Sequence, residues 1–114
     1  MNEPAAAGPQ LAALADPTRR RIFELVAAAP STVRAVTDQV SVSQPAVSQH
    51  LKVLRDAGLV VGTPRGASTV YRADRAGLVP IRAWLDSLWD DALDAFVDAA
   101  QAQRDHDPQR EDQP

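Results

Sequence analysis

The stretch from Ser43 to Gly58 carries its own start, sidedness and stop, and it constrains the fold more than any other part of the chain. Ser43 is a residue type that caps helix N-termini, and Gly58 suits the left-handed position just past a helix end. Between them Val47, Leu51 and Leu54 recur at i, i+4 and i+7, which predicts a helix over about Gln44 to Ala57 with one apolar face. The opposite face is then Gln44, Ser48, Gln49, Lys52 and Arg55. Upstream, Ser31 or Thr32 can cap a short helix reaching Val40, with Val33, Val36 and Val40 on one side, and Ser41-Val42-Ser43 reads as a turn. Two short helices joined by a tight turn form a helix-turn-helix, whose second helix fits the DNA major groove. Downstream, Leu59 to Thr63 and Ser68 to Ala73 are rich in β-branched residues and flank Pro64-Arg65-Gly66-Ala67, the pattern of a two-stranded ribbon or wing.

The remaining segments fit one domain, mainly α with a small β-hairpin: about five helices and a two-stranded antiparallel ribbon. With 114 residues, 45% of them apolar, the chain can fill a single core. Residues 1–9, rich in Ala, Pro and Gly, are expected to be flexible, and residues 103–114, nearly all polar, to form a disordered acidic tail. The domain would then span residues 10–102. A short helix is expected from Gln10 to Ala15, and Asp16-Pro17 supplies a cap and a first-turn proline for a second helix to about Ala28, ended by Pro30. That second helix would bury Ile22, Leu25 and Val26 and turn Arg19, Arg20 and Glu24 to solvent. Asp74 can cap a last helix that continues to about Ala102, with a kink or restart at Pro80. No apolar run approaches the roughly 20 residues of a membrane span, and the first residues lack the layout of a secretory signal, so a cytoplasmic location without membrane insertion is expected.

The formal net charge of −3 argues against a polyanionic partner until it is resolved along the chain. Residues 19–82 hold ten bases against four acids, whereas residues 83–114 hold nine acids against two bases. A basic middle beside an acidic end suits a nucleic-acid-binding core with a differently employed last helix. Gln44, Ser48 and Gln49 can offer donors and acceptors to base edges, glutamine matching adenine in particular. Lys52, Arg55 and Arg65 suit phosphates, which position a protein without reading sequence. His50 lies beside this face and either touches a base or phosphate or packs against the neighbouring helix. No enzymatic activity or cofactor is expected, because the serines lack a nucleophile elbow, no Gly-rich phosphate loop is present and the chain has no cysteine.

Three spaced motifs agree on a family. Leu14-Ala15-Asp16-Pro17-Thr18-Arg19-Arg20-Arg21-Ile22, then Ser43-Gln44-Pro45-Ala46-Val47-Ser48-Gln49-His50-Leu51-Lys52-Val53-Leu54, then Ala57-Gly58-Leu59-Val60 closely resemble the ArsR-type winged-helix repressors of bacteria over about residues 10–100. The resemblance implies a homodimeric repressor of a double-stranded DNA operator with imperfect two-fold symmetry, released by a signal. It places Gln44, Pro45, Ser48 and Gln49 where the family touches bases and Arg65 at the wing tip, and Ser43 joins Lys52 and Arg55 as a candidate for the phosphates. The metal-sensing members carry paired cysteines before the turn, or His with carboxylates on the last helix. Neither arrangement occurs here, so the resemblance is to the branch without metal sensing, whose signal can be a protein partner, a small molecule or autorepression alone. Asp86, Asp90, Asp94 and Asp98 recur at i+4 and read as a solvated helix face rather than a metal site.

On the last helix Ile81, Trp84, Leu85, Leu88, Trp89, Leu93 and Phe96 occupy roughly half the circumference, wider than the about 100° that suffices for one core-facing stripe. Together with Leu11 and Leu14 on the first helix they form a candidate dimer interface. The alternative to an operator-binding dimer is a winged-helix protein-interaction module that does not bind an operator, for which Gln44, Ser48 and Gln49 would be arbitrary.

Overall fold

Capping chemistry sets the boundaries of the helices in the computed structural model, which describes residues 3–106, with side chains for residues 7–105. In chain order the elements are α1 (Glu3–Ala15), α2 (Pro17–Ala28), β1 (Ser31–Thr32), α3 (Val33–Thr37), α4 (Gln44–Asp56), β2 (Val60–Arg65), β3 (Ser68–Ala73) and α5 (Arg75–His106). Asp16, Thr32 and Ser43 each accept a backbone N–H three residues on, from Arg19, Ala35 and Ala46. Asp74 accepts the N–H of Ala76, two residues on, at 3.1 Å and starts α5. The Arg19 N–H is the largest influence holding the Asp16 carboxyl below its usual range. A depressed folded-state pKa stabilises the fold above the ordinary carboxyl range and loses that effect as the pH falls through the lowered value, so this cap weakens only in acid.

The end of α4 is equally well defined. Gly58 takes φ +79, its N–H bonds to the Arg55 carbonyl at 2.9 Å, and the Leu59 N–H reaches the Leu54 carbonyl at 2.9 Å. This is a Schellman turn, closed by the apolar pair Leu54 and Leu59, both fully buried. The wing follows directly. The β2–β3 register pairs Arg65 with Ser68, leaving a two-residue turn of Gly66 and Ala67 in which only Gly66 has positive φ, +62. That is the type II′ signature, whose twist matches the flanking strands. The turn is shorter than the Pro64-to-Ala67 connection expected, because β2 runs through Pro64 to Arg65. Pro64 is tolerated there because the sheet order β1-β3-β2 makes β2 an edge strand.

Four expectations need correction. The ribbon has a third strand: Ser31 pairs with Tyr71 and Thr32 with Val70, so β1 stitches the start of α3 to the wing. Helix α1 begins at Glu3 rather than Gln10, since Ala5, Ala6 and Ala7 are strong helix formers and Ala7 is fully buried. Helix α3 ends at Thr37 rather than Val40, consistent with the low helix propensity of its valines and threonine. Val33, Val36 and Val40 nonetheless all pack on the core. Finally, α5 passes through Pro80 without restarting and extends to His106, so the first residues of the expected tail are helical and the others lie outside the described residues.

The core is built on α4. Val47, Leu51 and Leu54 are fully buried with Ile22 and Val26 of α2, Val36 of α3, and Leu59 and Val60 at the entry to the wing. Arg19 is not a solvent-facing side chain as expected. Its Nε donates to the Ala13 carbonyl at 2.6 Å, and Arg20 Nη1 reaches the Leu14 carbonyl at 3.0 Å, so two of the three consecutive arginines satisfy the last carbonyls of α1. Helix α1 packs against α5 and α2, and α5 emerges from the corner between α4 and β2. There Gly77 is buried, and a Cβ on it would collide with the backbone oxygen of Gly58. Gly77→Ala should therefore lower unfolding stability by about 1–3 kcal/mol in a urea titration. Gly8→Ala, which meets nothing in α1, should leave it unchanged or raise it by up to about 1 kcal/mol.

Candidate nucleic-acid interface

Because three apolar residues of α4 are buried to completion, the rotation of the helix leaves the opposite row outside. Ser43, Gln44, Pro45, Ser48, Gln49, Lys52 and Arg55 are all exposed. Ser43 and Pro45 also have local duties: the Ser43 hydroxyl accepts the Ala46 N–H at 3.3 Å, and Pro45 lies in the first turn, where its missing N–H costs no helical bond. His50 does not belong to this face. At 100° per residue it points about 170° away from the middle of the polar row. It is half-buried against α2, its Nδ1 3.4 Å from Arg19 Nη1. The structure thus shows the packing contact for His50.

The two bases toward the end of the helix share an acid that sequence reading passed over. Lys52 Nζ is 3.4 Å from Asp56 Oδ2, and Arg55 Nε is 3.7 Å from Asp56 Oδ1. Both pairs are well exposed, so each is worth little in stability, but Asp56 places a negative charge between the two side chains best suited to phosphates. The i, i+4 spacing of Lys52 and Asp56 was the available signal. Arg65 is exposed at the end of β2, beside the type II′ turn, and has no ion-pair partner among the described residues.

A cleft of about 350 Å³ separates the start of α4 from the wing, lined among others by Arg34, Gln44, Ser48, Ser68, Thr69 and Tyr71. It brings Gln44 and Ser48 together with wing residues that carried no expectation. No local sequence signal could have joined them, since the link runs through the two-residue strand β1.

The other expected surface lies on α5 and α1. Leu11, Leu14, Ile81 and Trp84 are half-buried, and Leu14 and Ile81 pack on the protomer's own core. Leu85, Leu88, Trp89, Leu93 and Phe96 are exposed, Trp89 by 65% and Phe96 by 69%. Asp86, Asp90, Asp94 and Asp98 are exposed as well, and among the described residues no three His, Cys, Asp or Glu side chains cluster as metal ligands. Nor is any described helix long and apolar enough to cross a membrane.

A buried helix-turn-helix with a polar outer row and a β-hairpin beside it defines a winged-helix DNA-binding protein. Residues 14–63 match the family profile described as a helix-turn-helix domain. The chain is 44% identical over 93 residues to the HTH-type transcriptional regulator Rv2034 of Mycobacterium tuberculosis, covering 82% of this chain and 87% of that protein. It is 36% identical over 86 residues to the nodulation protein NolR of Rhizobium meliloti, covering 75% of this chain and 70% of NolR. The solved structure of an ArsR-like transcriptional regulator from Rhodococcus sp. RHA1 superposes with a TM-score of 0.70 at 29% identity, covering 88% of this chain and 97% of that one. The chain belongs to the ArsR-type winged helix-turn-helix transcriptional regulators.

Asp56→Asn should tighten binding by about 0.5–1 kcal/mol on specific and random DNA alike, because it frees Lys52 and Arg55 without touching the glutamines. Fluorescence anisotropy with both DNAs checks this; a gain on one sequence only would place Asp56 in base reading instead.

Proposed function

We propose that the protein is a repressor that binds an imperfect two-fold operator as a homodimer, reads bases with Gln44, Pro45, Ser48 and Gln49, and does not respond to metals. The observation that carries this reading is the apolar row of α5. It starts on the protomer's own core at Leu78 and Ile81 and continues along the same side of the helix through Leu85, Leu88, Trp89 and Phe96, which remain exposed. Large apolar side chains repeating at helical spacing beyond the edge of their own core call for a second apolar surface. A second copy supplies it, and two copies also present two recognition helices, as a palindromic site requires. Five aspartates between Asp86 and Asp98 keep α5 away from phosphates, which favours a place for it between protomers, on the side remote from DNA. A sequence without cysteine, and without histidine among the apolar and acidic residues from Ile81 to Asp98, favours a signal other than a metal ion. Such a regulator would act in the cytoplasm, beside its operator.

Gln44→Ala and Gln49→Ala should each weaken operator binding by about 1–3 kcal/mol and random-sequence binding much less. Equal losses on both would remove base reading from α4. Trp89→Asp combined with Leu93→Asp should give monomers in sedimentation velocity and abolish operator binding with α4 intact. A folded, dimeric double variant would refute the interface, and a monomer that still holds the full operator tightly would refute the need for two copies. Zinc, nickel, cadmium and arsenite at micromolar concentration should leave operator affinity unchanged, and release by any of them would make the protein a metal sensor. A wild-type protein that shifts no DNA from its own upstream region would favour the protein-interaction module.

A further inference from the structure

We infer that Arg34 and the hydroxyl groups around it form a phosphate seat between the recognition helix and the wing, so that the DNA backbone is held by the cleft as well as by Lys52 and Arg55. The inference rests on the DNA-binding reading above and adds to it a contact on a different element. The cleft of about 350 Å³ is lined by Thr32, Val33 and Arg34 from the β1–α3 corner, Gln44 and Ser48 from α4, and Ala67, Ser68, Thr69 and Tyr71 from the wing. That is room for roughly a dozen water-sized volumes, more than a phosphate group with its bridging waters requires.

Its chemistry is one-sided. One guanidinium, four further hydroxyl-bearing side chains besides Ser48, and an amide face the same space, and no carboxylate lines it. Arg34 is exposed and has no ion pair or side-chain hydrogen bond among the described residues, so its charge is unspent. The contrast within the molecule is informative. The wider groove between α2 and the α3–α4 turn contains Asp38, and its one base, Arg21, lies 4.0 Å from Glu24. Of these two clefts, the one beside the wing has the uncompensated base and the row of hydrogen-bond donors. Both suit a phosphodiester, which accepts hydrogen bonds and carries one negative charge.

The position is set by the backbone rather than by flexible side chains. Pairing of Thr32 with Val70 and of Ser31 with Tyr71 fixes the start of α3 against the middle of β3. In a helix-turn-helix the first helix crosses the backbone while the second enters the groove, so a base at the start of α3 and next to Gln44 stands where a strand must pass. The wing lacks a row of arginines; here its hydroxyls and the arginine of a neighbouring element take that role.

The test compares wild type, Arg34→Ala, Arg34→Lys and Tyr71→Phe for binding to operator and random duplexes across a series of salt concentrations, with sedimentation and circular dichroism confirming folded dimers. Arg34→Ala should weaken both DNAs by a similar factor, about tenfold, and reduce the salt slope by about one unit for each seat the dimer uses. Arg34→Lys should keep the slope, and Tyr71→Phe should weaken both DNAs a few-fold without changing it. A wild-type slope in Arg34→Ala, or a loss confined to the operator, would overturn the seat while leaving DNA binding by α4 in place. A wild type that binds neither duplex would instead overturn the DNA-binding reading and the seat with it.

Discussion

Complete burial of Val47, Leu51 and Leu54 is the contact on which the rest of the structure depends. Those three side chains lock the rotation of α4, and a helix whose inner face is fixed has no freedom left in its outer one. Gln44, Ser48, Gln49, Lys52 and Arg55 are exposed because their neighbours are not. The three buried positions share one core with Ile22 and Val26 of α2, Val36 of α3, and Leu59 at the entry to the wing. Loosening any of them would therefore disturb the set of the outer row as well as the core.

From the C-terminal end of α4 the same contact propagates to α5. The Schellman turn at Gly58 delivers Leu59 into the core and launches β2, and the Asp74 N–H returns to the Leu59 carbonyl at 2.9 Å just before α5 begins. Gly77 then lies directly on the Gly58 backbone, where only a residue without Cβ fits. Gln10 Nε2 of α1 donates to the Ala57 carbonyl at 3.0 Å, so α1 and α5 both rest on the corner that ends the recognition helix. A displacement of α1 or α5 would be felt at that corner, directly behind the end of α4.

Charge is distributed by element rather than averaged. Basic residues of α3, α4 and the wing are exposed, whereas Asp86, Asp90, Asp91, Asp94 and Asp98 are exposed on α5. Within that pattern the structure assigns different work to residues that look alike in sequence. Arg19 and Arg20 cap α1, Arg34 is uncommitted, and Lys52 and Arg55 share Asp56.

The helices with strong local signals were legible in the amino-acid order alone. Asp16-Pro17, Ser43 and Gly58 are caps and stops whose effect depends only on nearby backbone groups, and the valine and leucine spacing of α4 names its buried face without reference to any partner element. Family membership was legible for the same reason, since its motifs are those capped segments. Tertiary structure decided what depends on residues far apart in the chain. Strand β1, two residues long, exists only because Tyr71 and Val70 are there to pair with it. The residue at α5 position 77 must be glycine because of a carbonyl 19 residues earlier, at Gly58. His50 turns to Arg19, and Arg34 meets the wing, through packing that no local pattern encodes. Capping and periodicity act over one or two helical turns, whereas burial and strand pairing act between elements, and only the folded chain brings those elements together.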